Sequence, residues 1–428
     1  MTASPLHALY RGVTSLARPL TGPLLDWRLK RGKEEAARLG ERRGRPGRPR
    51  PGGRLAWLHG ASVGESVALL PLIDALVGAG LHVLVTTGTV TSARVLAGRL
   101  PGGVTHQYVP LDFARHWQRF LDHWRPDLVL LAESELWPNL IHAVGLRGCP
   151  LVLVNARLSE RSARRWLRAE GLIRTMLGQA SLCLAQAEAD AARFRRFGLD
   201  DVRVTGNLKY DVVPPPASAE EVSGLAASIG ARPVWLAAST HAEEEALLID
   251  THEAVRRDHP NLLTLVVPRQ PVRGTAIAAA TAARDIPVAL RSRGQPIGTT
   301  GIYVADTIGE IGLFYRLADL VFVGKSLGGG GGQSPIEAAK LGKTVLHGPR
   351  IENLRDVYGL LDEAEGAVEV ADASSLAETL SSLLADPARL RRVARAAIET
   401  MQRHGGATER TIEALAPYLT DTPMRRVS

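Results

Sequence analysis

A carboxylate, Glu65, lies where the first predicted strand of this sequence turns into a helix, in the segment HGASVGES (59–66). Parallel sheets bind ligands at the carboxyl ends of their strands, so a side chain at this turn is well placed for chemistry. Glu65 can serve there as a general base that removes a proton from an acceptor hydroxyl group. The spacing Ser62-x-x-Glu65 equally fits a capping box, in which the carboxylate only stabilises the start of the helix. The residues alone leave both roles open.

Two more acids, Glu133 and Glu135, follow a predicted buried strand in the segment LAESELWPN (131–139). Burying a carboxylate costs free energy, so two of them beside Trp137 indicate a functional site. The alternative is a structural ion pair with a nearby arginine such as Arg157.

Basic side chains also stand at predicted strand ends. Arg157 and Arg161 lie in NARLSERS, Lys209 lies in GNLKYD, and Arg269 ends the segment VPR. Cations that converge on one site can hold a carboxylate or a phosphate. The backbone of the tight turn DTIGEIG (306–312) can hydrogen-bond to the edge of a nucleotide base.

The strongest local signal is the glycine run Gly328–Gly332 within VGKSLGGGGGQSPIEA. The residues Ser334, Pro335 and Glu337 fit the N-cap, N1 and N3 positions of a following helix. A glycine loop that opens onto a helix N-terminus binds phosphate through free N–H groups and the helix dipole. In ASTHAEEE (238–245), the spacing Thr240-x-x-Glu243 is a second capping-box pattern. It predicts a helix start that these two residues cap.

Charge and length restrict the function further. The chain has 428 residues, enough for two or three domains, and a net charge of +8, which favours anionic partners. Eleven basic residues against three acids lie between Arg28 and Arg54. Two cysteines, Cys149 and Cys183, offer neither a disulfide framework nor metal-ligand spacing, which favours a reducing compartment.

The N-terminal segment has apolar residues at helical spacing but no uncharged run long enough to span a bilayer. The residues of this apolar series are Leu6, Leu9, Tyr10, Val13, Leu16 and Leu20. With the basic segment that follows, the pattern fits a helix lying on an anionic membrane surface. It fits equally well a helix packed on the protein body and followed by a solvated basic linker.

Short apolar runs alternate with helical patterns along the chain, which predicts two doubly wound α/β domains with parallel sheets. The predicted strands are Leu55–Leu58, His82–Thr86, Leu128–Ala132, Leu151–Asn155, Leu182–Ala185 and Val202–Val204, then Val234–Ala238, Leu262–Val267, Val288–Leu290, Gly301–Val304, Leu320–Val323 and Thr344–Leu346. In such a pair of domains, ligands are expected in the cleft between them.

The predicted organisation has five parts. The amphipathic and basic segment (1–54) precedes an acceptor-binding Rossmann-like domain (55–212), and the proline-rich segment 213–221 reads as a linker. A nucleotide-sugar-binding domain (222–404) follows, and a C-terminal helix (405–428) is expected to pack back on the first domain.

Seven motifs in this order resemble the 3-deoxy-D-manno-octulosonic acid (Kdo) transferases of lipopolysaccharide synthesis. They are HGASVGE, ESELWPN, NARLSERS, GNLKYD, STHAEEE, VPR and FVGKSL…GGQSPIEA, between Leu55 and Asn353. The resemblance implies the GT-B fold, the donor CMP-Kdo, and lipid IV(A), the lipid A precursor, as acceptor. It also implies a place on the cytoplasmic face of the inner membrane, peripheral or monotopic, and a reaction without metal or further cofactor.

Carried over by motif, the resemblance assigns the catalytic base to Glu65 and a transition-state-stabilising pair to Glu133 and Lys209. The contacts to CMP that it implies are Pro268, Arg269, Ile308, Gly309, Glu310, Ser334, Pro335, Ile336 and Glu337. The chain departs from the family pattern at Ser334, where asparagine is usual. It also departs at Lys325, where glycine is common, and at Gln270, where histidine is usual.

Two other functions remain as alternatives. One is a GT-B glycosyltransferase or epimerase that uses a UDP-sugar. The other is a basic peripheral membrane protein without catalysis, which would bind anionic lipid through residues 1–54. Nucleic-acid binding is disfavoured, because the basic run lacks interleaved aromatic residues and a recognition motif.

Overall fold

The computed structural model of the chain describes residues 4–419, which form two compact units. The first unit contains the residues up to Val212 and the segment from His404 onward, and the second contains Val213–Arg403. Each unit is built around one parallel sheet.

The first unit has a seven-stranded sheet in the order β3-β2-β1-β4-β5-β6-β7. Its strands are β1 (Leu55–Gly60), β2 (His82–Thr87), β3 (Thr105–Tyr108), β4 (Leu128–Ala132), β5 (Leu151–Ala156), β6 (Leu182–Ala185) and β7 (Val202–Val204). The chain starts at the centre and winds outward in both directions, which is the doubly wound arrangement. Strands β1, β4 and β5 are buried along their whole length, as their unbroken apolar runs predict.

Helices cover both faces of this sheet. They are α1 (Pro5–Ala17), α2 (Thr21–Lys30), α3 (Val63–Ala68), α4 (Leu70–Gly78), α5 (Val90–Ala97), α6 (Ala114–Trp124), α7 (Pro138–Leu146), α8 (Glu160–Trp166), α9 (Glu170–Leu177) and α10 (Glu188–Arg196). Aromatic side chains of α6 fill one face of the core, where Trp117 and Phe120 pack on Trp57 of β1.

The basic segment after α2 is not a solvated linker, which corrects one of the two interpretations of the N-terminus. The Arg42 guanidinium is buried and donates to the Glu34 carboxylate at 2.8 Å. It also donates to the carbonyl oxygens of Gly88 and Val109, at 2.7 and 3.1 Å. Arg50 likewise donates to the carbonyl of Trp124 at 2.7 Å. These arginines therefore stabilise the first unit instead of extending into solvent.

The second unit has a seven-stranded parallel sheet in the order β10-β11-β9-β8-β12-β13-β14. Its strands are β8 (Val234–Thr240), β9 (Leu263–Pro268), β10 (Val288–Leu290), β11 (Ile302–Val304), β12 (Leu320–Val323), β13 (Thr344–His347) and β14 (Ala367–Glu369). Its helices are α11 (Ala219–Ile229), α12 (Ala242–Val255), α13 (Gly274–Ala282), α14 (Ile311–Leu317), α15 (Ile336–Lys340), α16 (Arg355–Glu363), α17 (Ala373–Ala385) and α18 (Pro387–His404). The first residues of α11 fall within the range 213–221 that the sequence reads as a linker.

The last described helix, α19 (Ala407–Leu419), belongs to the first unit. Its Leu415 is fully buried in the same apolar cluster as Leu72 of α4. The predicted C-terminal segment 405–428 extends beyond the described residues. Among the described helices, none combines the length and the apolar composition that crossing a bilayer requires.

The predicted fold class, two doubly wound parallel sheets, is confirmed. Two strands were missed, β3 and β14. Both lie at sheet edges, where β3 (THQY) is mostly polar and β14 is three residues long, so neither has the apolar run that marks a buried strand.

Candidate functional site

Glu65 lies in the first turn of α3, directly after β1. Its carboxylate accepts hydrogen bonds from the Ala61 N–H at 2.8 Å and from the Ser62 hydroxyl at 2.7 Å. Ser62 in turn accepts from the Glu65 N–H at 3.3 Å. The helix start is therefore capped as the sequence predicts. Glu65 is nevertheless only partly buried, so a second role as a base is compatible with this geometry.

The environment of Glu65 disfavours the charged form of its carboxyl group. Burial raises the pKa of Glu65, and the negative charges of Glu133 and Glu135 raise it further. The hydrogen bonds from Ser62 and Ala61 act in the opposite direction. A carboxyl group whose pKa is raised toward the working pH is a stronger base than an ordinary glutamate.

Ser62→Ala is expected to move the acidic limb of the pH–rate profile to higher pH. The Ser62 hydroxyl stabilises the carboxylate, so its loss raises the pKa of Glu65 further, and a general base works only above its pKa. The measurement is kcat/KM against pH. Ser159→Ala, which removes an N-cap at the start of α8, should leave the limb in place. A limb that stays or moves to lower pH in Ser62→Ala contradicts the role of Glu65.

The predicted pair of Glu133 and Lys209 is in direct contact. The Lys209 ammonium lies 2.6 Å from the Glu133 carboxylate, and both side chains are mostly buried. Glu133 follows β4 and has a left-handed backbone with φ of +53°, which is strained for a residue with a side chain. The charged partner of Glu133 is thus Lys209, the residue with which the family resemblance pairs it.

Asn155 positions the turn that carries Lys209. This role of Asn155 was not predicted from the sequence. The Asn155 side chain accepts a hydrogen bond from the Leu208 N–H at 2.9 Å, which fixes the turn Leu208–Asp211. Asn155 is itself buried and left-handed, with φ of +50°, at the end of β5. A polar residue that ends a buried strand was the available signal.

Glu135 is held by two aromatic side chains. The Trp137 indole N–H donates to its carboxylate at 2.6 Å, and the buried His59 ring lies 3.3 Å away. His59 is the last residue but one of β1, and β1 pairs with β4. Neighbouring strands thus bring Glu65, Glu133 and Glu135 to one edge of the sheet. Arg161, by contrast, is exposed on α8.

In the second unit, the residues that the resemblance assigns to CMP follow three strands. Pro268 is buried at the end of β9, and the Arg269 side chain is exposed just beyond it. Ile308 and Gly309 are exposed in the turn before α14. Glu310 binds the Arg291 guanidinium at 2.6 Å, and these hydrogen bonds lower the pKa of Glu310.

The glycine loop differs from its prediction in two ways. Its first N–H groups, from Lys325 to Gly328, are not free, because they all donate to the Glu244 carboxylate. The helix after the loop, α15, is five residues long and begins one residue late. Its first residue is Ile336, so Pro335 takes the N-cap position. The Ser334 hydroxyl still accepts a hydrogen bond from the Ile336 N–H at 3.4 Å, as a capping serine does. Ser334 is exposed and Glu337 half-buried.

Glu244 is the organising residue that the sequence analysis missed. The predicted cap of Thr240 and Glu243 is wrong, because α12 begins at Ala242 with His241 as its N-cap. Glu244 is completely buried and accepts from the N–H groups of Lys325, Ser326 and Leu327 at 2.6–2.9 Å. Three consecutive glutamates look alike in sequence, and only the fold distinguishes them.

One group of side chains within residues 4–419 has metal-ligand types in proximity: His347, Asp362 and Glu369. The His347 ring already hydrogen-bonds to Asp362 at 3.0 Å, and its other nitrogen contacts the Gly348 carbonyl. An imidazole with both nitrogens occupied needs no ion to explain its position.

Comparison with known proteins identifies the relatives of this chain. The family model described as 3-Deoxy-D-manno-octulosonic-acid transferase (kdotransferase) matches residues 37–212. A 3-deoxy-D-manno-octulosonic acid transferase of Bordetella pertussis is 36% identical, over 96% of this chain and 99% of the relative. One from Haemophilus influenzae is 34% identical, over 89% of this chain and 91% of the relative.

Solved structures support the fold. A putative UDP-N-acetylglucosamine 2-epimerase from Listeria monocytogenes matches with a TM-score of 0.56 and 16% identity, over 87% of this chain and 98% of that one. A glycosyltransferase from Rickettsia africae matches with a TM-score of 0.56 and 12% identity, over 87% of this chain and all of that one. The predicted GT-B-like fold is thereby confirmed. The extent of the sequence similarity establishes that the chain belongs to the 3-deoxy-D-manno-octulosonic acid transferases, a family of glycosyltransferases.

Proposed function

We propose that this protein transfers Kdo from CMP-Kdo to lipid IV(A), with inversion at the anomeric carbon and without a metal ion. The observation that carries the proposal is the cluster of Glu65, Glu133 and Lys209 at one sheet edge of a Kdo transferase family member. The raised pKa of Glu65 strengthens its carboxylate as a general base toward a hydroxyl group. The pair of Glu133 and Lys209 supplies fixed charges beside it.

In the proposed reaction, Glu65 takes the proton of a primary hydroxyl group of the acceptor sugar. The oxygen then attacks the anomeric carbon of Kdo, while the bond from that carbon to the phosphate of CMP breaks. Positive charge develops on the sugar ring, and the Glu133 carboxylate favours it. CMP leaves with the bonding electrons, so cations such as Arg269 can stabilise its charge without a divalent ion.

A donor panel separates this proposal from the UDP-sugar alternative. A ligand that binds only the folded protein stabilises it by about 2.7 kcal/mol at a hundred times its Kd. CMP should therefore raise the Tm, and CMP-Kdo should be consumed in the presence of lipid IV(A) and EDTA. Stabilisation by UDP without stabilisation by CMP would contradict the proposal.

We also propose that the N-terminal helices bind the cytoplasmic face of the inner membrane. Seven large apolar side chains are exposed there: Leu6, Leu9, Val13, Leu16, Leu20, Leu24 and Trp27. The opposite side of α1 is packed, since Tyr10 donates to Asp112 and Thr14 accepts from Asn139. An apolar face beside basic residues such as Arg31, which stacks on Trp27, suits an anionic lipid surface.

Replacing Leu9 and Leu16 together with serine is expected to weaken binding to anionic vesicles at least tenfold. Burying one leucine side chain stabilises by about 1.5–3 kcal/mol, and these two are 63% and 83% exposed. Co-sedimentation with vesicles measures the effect. Val272→Ser, at an exposed apolar residue of the second unit, is the matched control. If the double variant binds vesicles as tightly as the wild-type protein, the membrane contact is not made by these helices.

A further inference from the structure

We propose that the Lys325 ammonium binds the phosphate of the nucleotide donor, as a residue that sets donor affinity in this chain. The inference rests on the proposed function, because it takes the donor to be a cytidine monophosphate sugar. Lys325 lies two residues beyond β12, in the loop that precedes the glycine run.

Lys325 has a left-handed backbone, with φ of +63°. A lysine pays a steric penalty in this conformation, whereas glycine adopts it freely. The conformation is imposed from both sides. The Lys325 N–H donates to Glu244 at 2.6 Å, and the Lys325 carbonyl accepts from the Gly332 N–H at 2.9 Å. Strain that the surrounding structure maintains is typical of functional sites.

The side chain of Lys325 lies along the glycine run. Its ammonium nitrogen is 3.7 Å from the point that a Cβ atom would occupy at Gly331. The Glu352 carboxylate, which lies beside the glycine run, accepts a hydrogen bond from the Gly331 N–H at 2.9 Å. None of the ion pairs described within residues 4–419 includes Lys325, so its charge is available to a ligand.

Other cationic and polar groups surround the same strand ends. Strand β8 pairs with both β9 and β12, so the residues after these three strands are neighbours. Burial lowers the pKa of His241. The Glu244 and Glu243 carboxylates oppose this shift, and the positive charges of Lys325 and Arg269 act with it. The Gln333 side chain contacts the His241 ring at 3.2 Å. Two cations therefore converge at the carboxyl edge of the central strands, where α/β sheets bind ligands.

The amides that open the loop are occupied, which favours a side-chain cation as a phosphate ligand at this position. The N–H groups of residues 325–328 are used by Glu244, so they cannot also bind a phosphate. A negative charge is already fixed beneath the loop, and a phosphate approaching it needs compensation. Lys325 supplies this positive charge from within the loop itself.

Lys325→Gly tests the inference, because stability and donor affinity should change in opposite directions. The glycine removes left-handed strain, so Tm should stay the same or rise. Loss of the ammonium should raise the KM for CMP-Kdo about tenfold or more, since hydrogen bonds between charged groups are the strong ones. The affinity for CMP should fall equally, and that for cytidine, which lacks phosphate, should not change.

Two further variants control the experiment. Glu365→Gly relieves a left-handed backbone of similar φ, +56°, in the same unit and should leave donor KM unchanged. Lys325→Arg keeps the charge and should restore most of the CMP affinity. Equal affinity for CMP in Lys325→Gly and the wild-type protein would overturn the role of Lys325 alone. Failure of the wild-type protein to bind CMP would overturn the proposed donor as well.

Discussion

Glu65→Gln is expected to lower kcat for Kdo transfer by about 10²–10⁴-fold, while CMP binds as before. Glutamine has nearly the same shape and can still accept a hydrogen bond from the Ala61 N–H or the Ser62 hydroxyl. It cannot accept a proton, so the acceptor hydroxyl group must ionise unaided. The side chain belongs to the first unit, whereas the proposed CMP contacts lie in the second. The substitution should therefore lower the rate of transfer without changing the affinity for CMP.

The measurement is initial rate under saturating CMP-Kdo and lipid acceptor, together with the Kd for CMP. Glu409→Gln is the matched control, because Glu409 is an exposed acid in the first turn of α19. Its rate should equal that of the wild-type protein. A Glu65→Gln variant within a factor of about three of the wild-type rate would remove Glu65 from the mechanism.

Glu244→Ala should lower the free energy of unfolding by about 3–5 kcal/mol, the largest stability effect that we expect. The carboxylate is fully buried and accepts the N–H groups that shape the glycine loop. Without it, at least three N–H donors lose their acceptor, and the buried one, on Ser326, costs about 1–3 kcal/mol if it stays unsatisfied.

Urea unfolding of the full chain, followed by probes in each unit, measures this effect. Glu243→Ala is the control, because Glu243 precedes Glu244 in the same helical turn but is exposed. We expect its change to stay within about 0.5 kcal/mol. If the two variants were equally stable, the loop would hold its shape by other contacts.

The sequence allowed the fold to be predicted because most strands of both sheets are buried on both faces. Runs such as LVLLA at Leu128–Ala132 are continuous apolar segments, and they are bounded by polar turns. The pairing of Glu133 with Lys209 was also predictable, but through family resemblance and not through spacing, since 76 residues separate the two.

The hydrogen-bond partner of the amides in the glycine loop was not predictable from the sequence. A run of five glycines indicates that the backbone approaches a ligand closely, and the expected ligand was a phosphate. The structure places a protein carboxylate, Glu244, against the amides that precede the run. Which of three adjacent acids turns inward depends on where α12 begins, and helix starts shift easily by one residue.

The basic N-terminal segment shows the same limitation. Its charge excess indicated an anionic partner, yet Arg42 and Arg50 bind acids and carbonyl oxygens of their own unit. Composition cannot distinguish a guanidinium that faces solvent from one that ties segments together. The structure also leaves exposed at this end the apolar face of α1, which includes Leu9 and Leu16, and this face was part of the predicted pattern.

The proposed activity of this chain is transfer of Kdo from CMP-Kdo to a lipid acceptor. Its most direct test is incubation of the full-length protein with CMP-Kdo and lipid IV(A) in EDTA, followed by mass spectrometry of the lipid. We predict a lipid heavier by whole Kdo residues, one CMP released for each, and no such product with Glu65→Gln. An unmodified lipid, or one modified only when a UDP-sugar is supplied, would show that this chain is not a CMP-Kdo-dependent transferase of lipid IV(A).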